Sequence, residues 1–232
     1  MTDLRRPRTR RLTGIDRPSR RPWAAVLVAA LGAAFVIGLG FATTPEHPDH
    51  AVVTALNTLH TGAWGAVASA VYRGIEPIPA VGITLAIATL VWWVSRSLRT
   101  AVLFGTTVAL TWLPVAAIKL LVDRPRPDAT LLAHPFVPAQ PDGSFPSGHT
   151  AYVVALAFGF WFLLRHTRWA WAPVVFGVAM TAFVGLAVVS DGLHFPTDVL
   201  GSVVWAVSTA CAVRWIVVDL VAARVWPIRR IR

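Results

Sequence analysis

The feature that most constrains this chain is the recurrence of long stretches almost free of charge. Residues 23–43 contain no Asp, Glu, Lys or Arg, and comparable apolar runs fall at about 78–94, 100–122, 148–164, 169–189 and 196–213. A helix needs about 20 mostly apolar residues to cross the hydrocarbon of a bilayer. Charged residues make up 14% of the chain and hydrophobic ones 56%, with a mean hydropathy of +0.62. Soluble domains carry about 25% charged residues, and a core of this size cannot bury so large an apolar excess. The composition also excludes a disordered chain, and the single cysteine, Cys211, excludes a disulfide scaffold. The expectation is an all-α polytopic membrane protein with six transmembrane helices. Residues 51–72 mix Val52, Leu56, Leu59 and Trp64 with Asn57, His60 and Thr61, which predicts an interfacial amphipathic helix.

The net charge of +10 has two readings, nucleic-acid binding or orientation in a membrane. Eight arginines lie in the first 21 positions, interleaved with Pro7 and Pro18, and no recognition module follows them. This predicts a disordered Arg-rich tail over 1–22, a membrane domain over 23–220 and a basic tail over 221–232. Lipid headgroups, not nucleic acid, are the expected partners of these charges. With six spans both ends lie on one side, and 17 of the 21 basic residues then share that side. By the positive-inside rule the termini are expected to be cytoplasmic. The opposite face holds only Arg73, Lys119, Arg124 and Arg126 as cations, three of them within eight positions.

Three polar segments fall on that outer face. The first runs from Lys119 through Arg124-Pro125-Arg126-Pro127 at the end of the third span. Charge at such a depth is costly and usually retained for function, although Lys119 alone also reads as a snorkelling side chain. The second is Pro146-Ser147-Gly148-His149, opening the fourth span, where a helix N-terminus with exposed N–H groups attracts anions; taken alone it is also simply a cap. The third is His194 with Asp198 four residues on, a spacing that places both on one helical face. An Asp bonded to one imidazole nitrogen frees the other as nucleophile or base. Together these residues make the inventory for phosphoryl transfer through a phosphohistidine. Cations and backbone N–H groups neutralise the phosphate, one His attacks, and the other protonates the leaving oxygen. A metal fits less well, because the histidines lack compact ligand spacing and cations surround them. No cofactor is expected.

These residues resemble the type 2 phosphatidic acid phosphatase family, relatives of the vanadium-dependent haloperoxidases. The family signature reads Lys-x6-Arg-Pro, Pro-Ser-Gly-His and Ser-Arg-x5-His-x3-Asp. Here the first is Lys119 to Arg126-Pro127, the second is Pro146 to His149, and the third supplies His194 and Asp198. The resemblance implies phosphate binding by Lys119, Arg126, Ser147 and Gly148, general-acid action by His149, and nucleophilic attack by His194 oriented by Asp198. It also implies a metal-independent lipid phosphatase at the outer face, acting on a phosphatidate, a phosphatidylglycerol phosphate or a polyprenyl diphosphate. One departure stands out: Ala187 and Val188 occupy the positions of the family's Ser and Arg. Arg124 is the candidate substitute anchor, unless it simply pairs with Asp123. The alternative is a degenerate, weakly active or non-catalytic lipid-phosphate binder. A secondary transporter fits less well, since no inverted repeat is evident. Oligomeric state is not legible.

Overall fold

A computed structural model describes residues 14–16, 19, 21–45 and 47–226. Nine helices carry the described chain: α1 (Pro22–Thr43), α2 (His50–Asn57), α3 (Gly62–Gly74), α4 (Pro77–Ser95), α5 (Leu98–Trp112), α6 (Val115–Val122), α7 (Gly148–Leu164), α8 (Trp171–Ser190) and α9 (Pro196–Trp215). The last continues through a π-helical stretch, Ile216–Ala222, and a final turn, Ala223–Val225. There is no strand among the described residues. The protein is all-α and multi-pass. Five helical segments are long and apolar enough to cross a membrane; α7, with 17 residues, is shorter. Large apolar side chains such as Leu31, Trp93, Phe176 and Val178 are 63–67% exposed, as a surface solvated by lipid requires.

Helix α7 is central, packing against α5, α8 and α9, while α1 lies along α9 and α4 against α5. Glycines allow the closest approaches. A Cβ at Gly32 would stand 2.1 Å from Ser208 Oγ, and one at Gly159 2.7 Å from Val108 Cγ2.

Three expectations change. The run 100–122 is two helices, because Pro114 cannot donate a backbone hydrogen bond and α6 restarts at Val115. The single interfacial helix over 51–72 is α2 and α3, separated by Thr58–Thr61. Gly62 follows at φ +53, where glycine carries no Cβ penalty. The tail expected to be disordered over 1–22 is ordered at Gly14–Asp16. There Ile15 is fully buried, its carbonyl accepts from Arg214 Nε and Nη2 at 3.2 and 3.0 Å, and Arg99 Nε donates to Asp16 Oδ1 at 3.0 Å. The expectations for residues 1–13, 17, 18, 20 and 227–232 lie outside the described residues.

Candidate active site

The loop between α6 and α7 and the short connection between α8 and α9 bring the three polar segments together. Asp123 ends α6 in the left-handed conformation, φ 46. Its side chain is not the partner of Arg124. Phe145 then drives its ring between α1 and α9: Cβ atoms at Gly40 and Gly201 would stand 2.7 and 2.6 Å from its ring. This wedge delivers Pro146-Ser147 to the start of α7. Ser147 is the N-cap, its Oγ accepting from Thr150 N at 3.4 Å. Its own N–H donates to Asp198 O at 3.2 Å, and Ser202 Oγ donates to the carbonyls of both Ser147 and Asp198, at 2.7 and 2.8 Å. The second and third segments are thus stitched together through backbone.

Lys119 and Arg126 grip one carboxylate. Lys119 Nζ donates to Asp142 Oδ2 at 2.7 Å and Arg126 Nη2 to Asp142 Oδ1 at 2.7 Å. Arg126 Nη1 also donates to the carbonyl of Leu193 at 2.8 Å, beside His194. Partial burial opposes the charge on Asp142, but the attraction and hydrogen bonds of Lys119 and then Arg126 outweigh it and hold the carboxyl down to about 2.

The two histidines face each other at a ring-centroid distance of 6.3 Å. His149 stacks on Tyr72 at 4.2 Å and its Nε2 donates to the Tyr72 carbonyl at 3.0 Å. That bond commits Nε2 to the backbone, so any proton transfer by this ring would run through Nδ1. His194 is fully buried, and neither ring nitrogen makes a well-aligned hydrogen bond among the described residues, the Ser144 backbone being its near polar neighbour. Its Nδ1 lies 3.4 Å from Asp198 Oδ2, close but not aligned as a hydrogen bond. Burial, then the charges of Arg126, Lys119 and His149, push its pKa well below the ordinary imidazole value. The ring is therefore neutral at pH 7, with a lone pair available. Buried nitrogens without a well-aligned partner are rare in folded proteins and mark a place for chemistry.

Arg124, the candidate substitute anchor, has other partners. It is fully buried; Nη1 donates to Asp198 Oδ1 at 2.7 Å and Thr197 Oγ1 at 2.6 Å, and Nη2 to Asp49 Oδ1 at 2.9 Å. Val188, at the position of the missing arginine, is also fully buried, and its carbonyl accepts from Leu193 and His194 N–H at 3.2 Å each.

A family model described as the PAP2 superfamily matches residues 100–222, just over half of the chain. The chain belongs to the PAP2 superfamily. It is 38% identical over 90 residues to the undecaprenyl-diphosphatase BcrC of Bacillus subtilis, a match covering 39% of this chain and 44% of that protein. It is 28% identical over 135 residues to a protein of Bacillus licheniformis named bacitracin transport permease protein BcrC, covering 56% and 64%. The matches thus span less than two thirds of either relative. The fold is similar to that of a crystal structure of a PAP2-type phosphatidylglycerolphosphate phosphatase from Bacillus subtilis. The TM-score is 0.64 at 19% identity, over 90% of this chain and all of that one.

Sequence reasoning missed four neighbours of the candidate residues: Asp142, Tyr72, Asp49 and Thr197. The signal for Asp142 was present, since an acid 16 residues beyond Arg126 lies in the loop that the signature joins to α7. Tyr72 contributes its backbone carbonyl and its stacking ring, and a tyrosine 77 residues before His149 carries no sequence signal for either. Of the remaining histidines, His60 touches Asp191 at 2.9 Å and the His134 carbonyl at 2.6 Å, and His47 stacks on Phe195 at 5.2 Å.

Proposed function

We propose that this protein is a membrane-embedded lipid phosphate phosphatase working through a phosphohistidine, with its termini cytoplasmic and its site at the outer face. The observation that carries the reading is the grip of Lys119 and Arg126 on one carboxylate beside a buried, neutral imidazole. A carboxylate so held stands where two phosphoryl oxygens would sit. The distribution of arginine between the two faces supports the orientation. Accessibility of a cysteine placed at exposed Val137 to an impermeant thiol reagent in whole cells, in a C211A background, tests it.

In this reading Lys119, Arg126, the Ser147 hydroxyl and the Gly148 N–H hold the phosphoryl oxygens; the Ser147 N–H is already committed to the Asp198 carbonyl. Packing does not demand glycine at 148, since a Cβ there would meet nothing nearer than Trp112 Nε1 at 4.0 Å; its absence leaves room for an oxyanion at the helix N-terminus. His194 Nε2 attacks phosphorus, the bond to the lipid-side oxygen breaks, and His149 gives that oxygen its proton. Water then attacks the phosphohistidine, the P–N bond breaks, and the water's proton returns to His149 as phosphate leaves. Asp198 keeps the Nδ1 proton of His194 oriented throughout. No residue in this sequence of steps needs a metal ion. Among lipid substrates, similarity to a protein named undecaprenyl-diphosphatase favours a polyprenyl diphosphate over phosphatidate or phosphatidylglycerol phosphate.

Purified protein should release phosphate from such lipids, with chelator present, and H194A should not. Release that persists in H194A refutes the assigned nucleophile. The second reading, a lipid-phosphate binder with little turnover, rests on Val188 and requires that the unaltered protein bind these lipids without hydrolysing them.

A further inference from the structure

We infer that Arg124, Asp49 and Thr197 form a buried positioning relay that sets the orientation of Asp198, and through it the nucleophilic His194, instead of binding phosphate. The inference rests on the phosphatase reading for what His194 does, and on the geometry below for how it is held.

Asp198 has two oxygens with separate duties. Oδ2 accepts the backbone N–H of Phe195 at 2.8 Å and faces His194 Nδ1 at 3.4 Å, while Oδ1 accepts from Arg124 Nη1 at 2.7 Å. Fixing Oδ1 fixes the plane of the carboxylate, so Oδ2 cannot rotate away from the imidazole. Arg124 is itself over-determined. Thr197 Oγ1 takes its Nη1, Asp49 Oδ1 takes its Nη2, and the ring of Phe195 lies under its Cζ at 4.0 Å. Asp49 is locked in turn, its Oδ2 accepting both the N–H and the hydroxyl of Thr197 at 2.8 and 2.6 Å. Although burial opposes it, hydrogen bonds from Thr197 and the charge of Arg124 hold the Asp49 carboxyl below its usual range.

The charges agree with this role. One guanidinium between two carboxylates leaves a single negative charge, which the imidazolium formed on phosphorylation of His194 neutralises. A phosphate anchor, by contrast, needs its guanidinium hydrogens aimed at the substrate; Arg124 spends both Nη1 hydrogens and one Nη2 hydrogen on protein, and its Nε–H, without a hydrogen-bond partner among the described residues, is fully buried. Buried charges removed singly leave their partners unpaired, so loss of Arg124 frees Asp198 to turn toward other donors. The relay also joins the connection before α2 to the start of α9, two places 148 residues apart in the chain.

The test compares wild type, R124Q, D198N and R124Q/D198N in detergent. Turnover of a lipid phosphate, inhibition by inorganic phosphate, and 15N spectra of labelled histidine, with His194 assigned by H194A, are the readouts. The expected result is a kcat at least 100-fold lower in R124Q, with KM and phosphate inhibition within about threefold of wild type. The double variant should be no slower than D198N. His194 should be an Nδ1–H tautomer in wild type and a mixture in R124Q. Where R124Q does not yield monodisperse protein, D49N carries the same comparison, with kcat about tenfold lower and no further loss in the D198N background. A tenfold weaker phosphate inhibition in R124Q, losses that multiply in the double variant, or an unchanged His194 tautomer would overturn the relay. Absence of turnover in wild type counts against the phosphatase reading instead, and the tautomer spectra then still decide the relay.

Discussion

Lys119 Nζ lies 2.7 Å from Asp142 Oδ2, closing with Arg126 a clamp on a carboxylate that is itself 53% exposed at its side chain. A substrate phosphate must displace that carboxylate to reach both cations. D142N removes the competing charge, and it should lower KM for a lipid phosphate and strengthen inhibition by inorganic phosphate several-fold, with kcat changed less than threefold. Steady-state kinetics in detergent micelles check this. Weaker phosphate inhibition in D142N would show that Asp142 helps to hold the site open for substrate.

Asp191 gives a pH-dependent stability prediction. Burial raises its carboxyl to about 6, against smaller opposing effects of His60, Ser69 and Arg73. The native state therefore binds this proton more tightly than the unfolded chain, whose carboxyl titrates near 3.8. Stability from this group is fullest below about pH 4, falls as pH rises to about 6, and stays at the lower level above that. At 1.36 kcal/mol per unit the penalty at neutral pH is at most about 3 kcal/mol. D191N should raise the Tm at pH 7.5 and flatten its dependence between pH 4.5 and 6.5. Thermal unfolding in detergent measures both; a lower Tm with an unchanged slope would contradict the assignment.

The legibility of this chain follows from where charge is forbidden. Lys119, His149, His194 and Asp198 stood out because an apolar sequence has no structural use for them at helix ends; the shared helical face expected for His194 and Asp198 is not formed, because α9 begins at Pro196 with Phe195 as its N-cap and the preceding turn brings His194 to Asp198. Helices α7 and α9 also begin at the residues the sequence marks, Gly148 and Pro196, since a cap and a proline punctuate both. The break at Pro114 was hidden by continuous hydropathy on either side. The partners of Arg124 were hidden because Asp49 and Thr197 are 75 and 73 residues away, and because an acid in a polar connection carries no mark of its burial.

Phe145 is the mechanical link between the membrane helices and the start of α7. A Cβ at Gly201 would stand 2.6 Å from its Cζ, and overpacking of this kind costs about 1–3 kcal/mol. G201A should lower the Tm by several degrees and reduce kcat at least tenfold, because the wedge cannot shift without moving Ser147 and Gly148. F145L, which replaces the ring by a shorter branched side chain without the clashing Cζ and Cε2 atoms, should restore part of both in the G201A background. An unchanged Tm and kcat in G201A would show that the segment is held some other way.

Val188 tests whether the missing arginine matters. Its side chain is fully buried in the main hydrophobic cluster, where a guanidinium carries a desolvation cost. In an enzyme already competent without it, V188R should leave kcat/KM unchanged or lower. A gain above tenfold, in keeping with the 1.5–3 kcal/mol of a charge-assisted hydrogen bond, would favour the degenerate binder instead.

The central claim is that His194 becomes covalently phosphorylated. The most direct measurement is rapid acid-free quenching of purified protein with a lipid diphosphate or monophosphate labelled at the terminal phosphate, followed by base-stable, acid-labile label counting and peptide mapping. The account predicts label on His194 in H149A with the lipid diphosphate, whose phosphate leaving group departs without a proton from His149 while attack by water lacks its base, and none in H194A. Label on another residue, or brisk phosphate release with no trapped label in any variant, would contradict it.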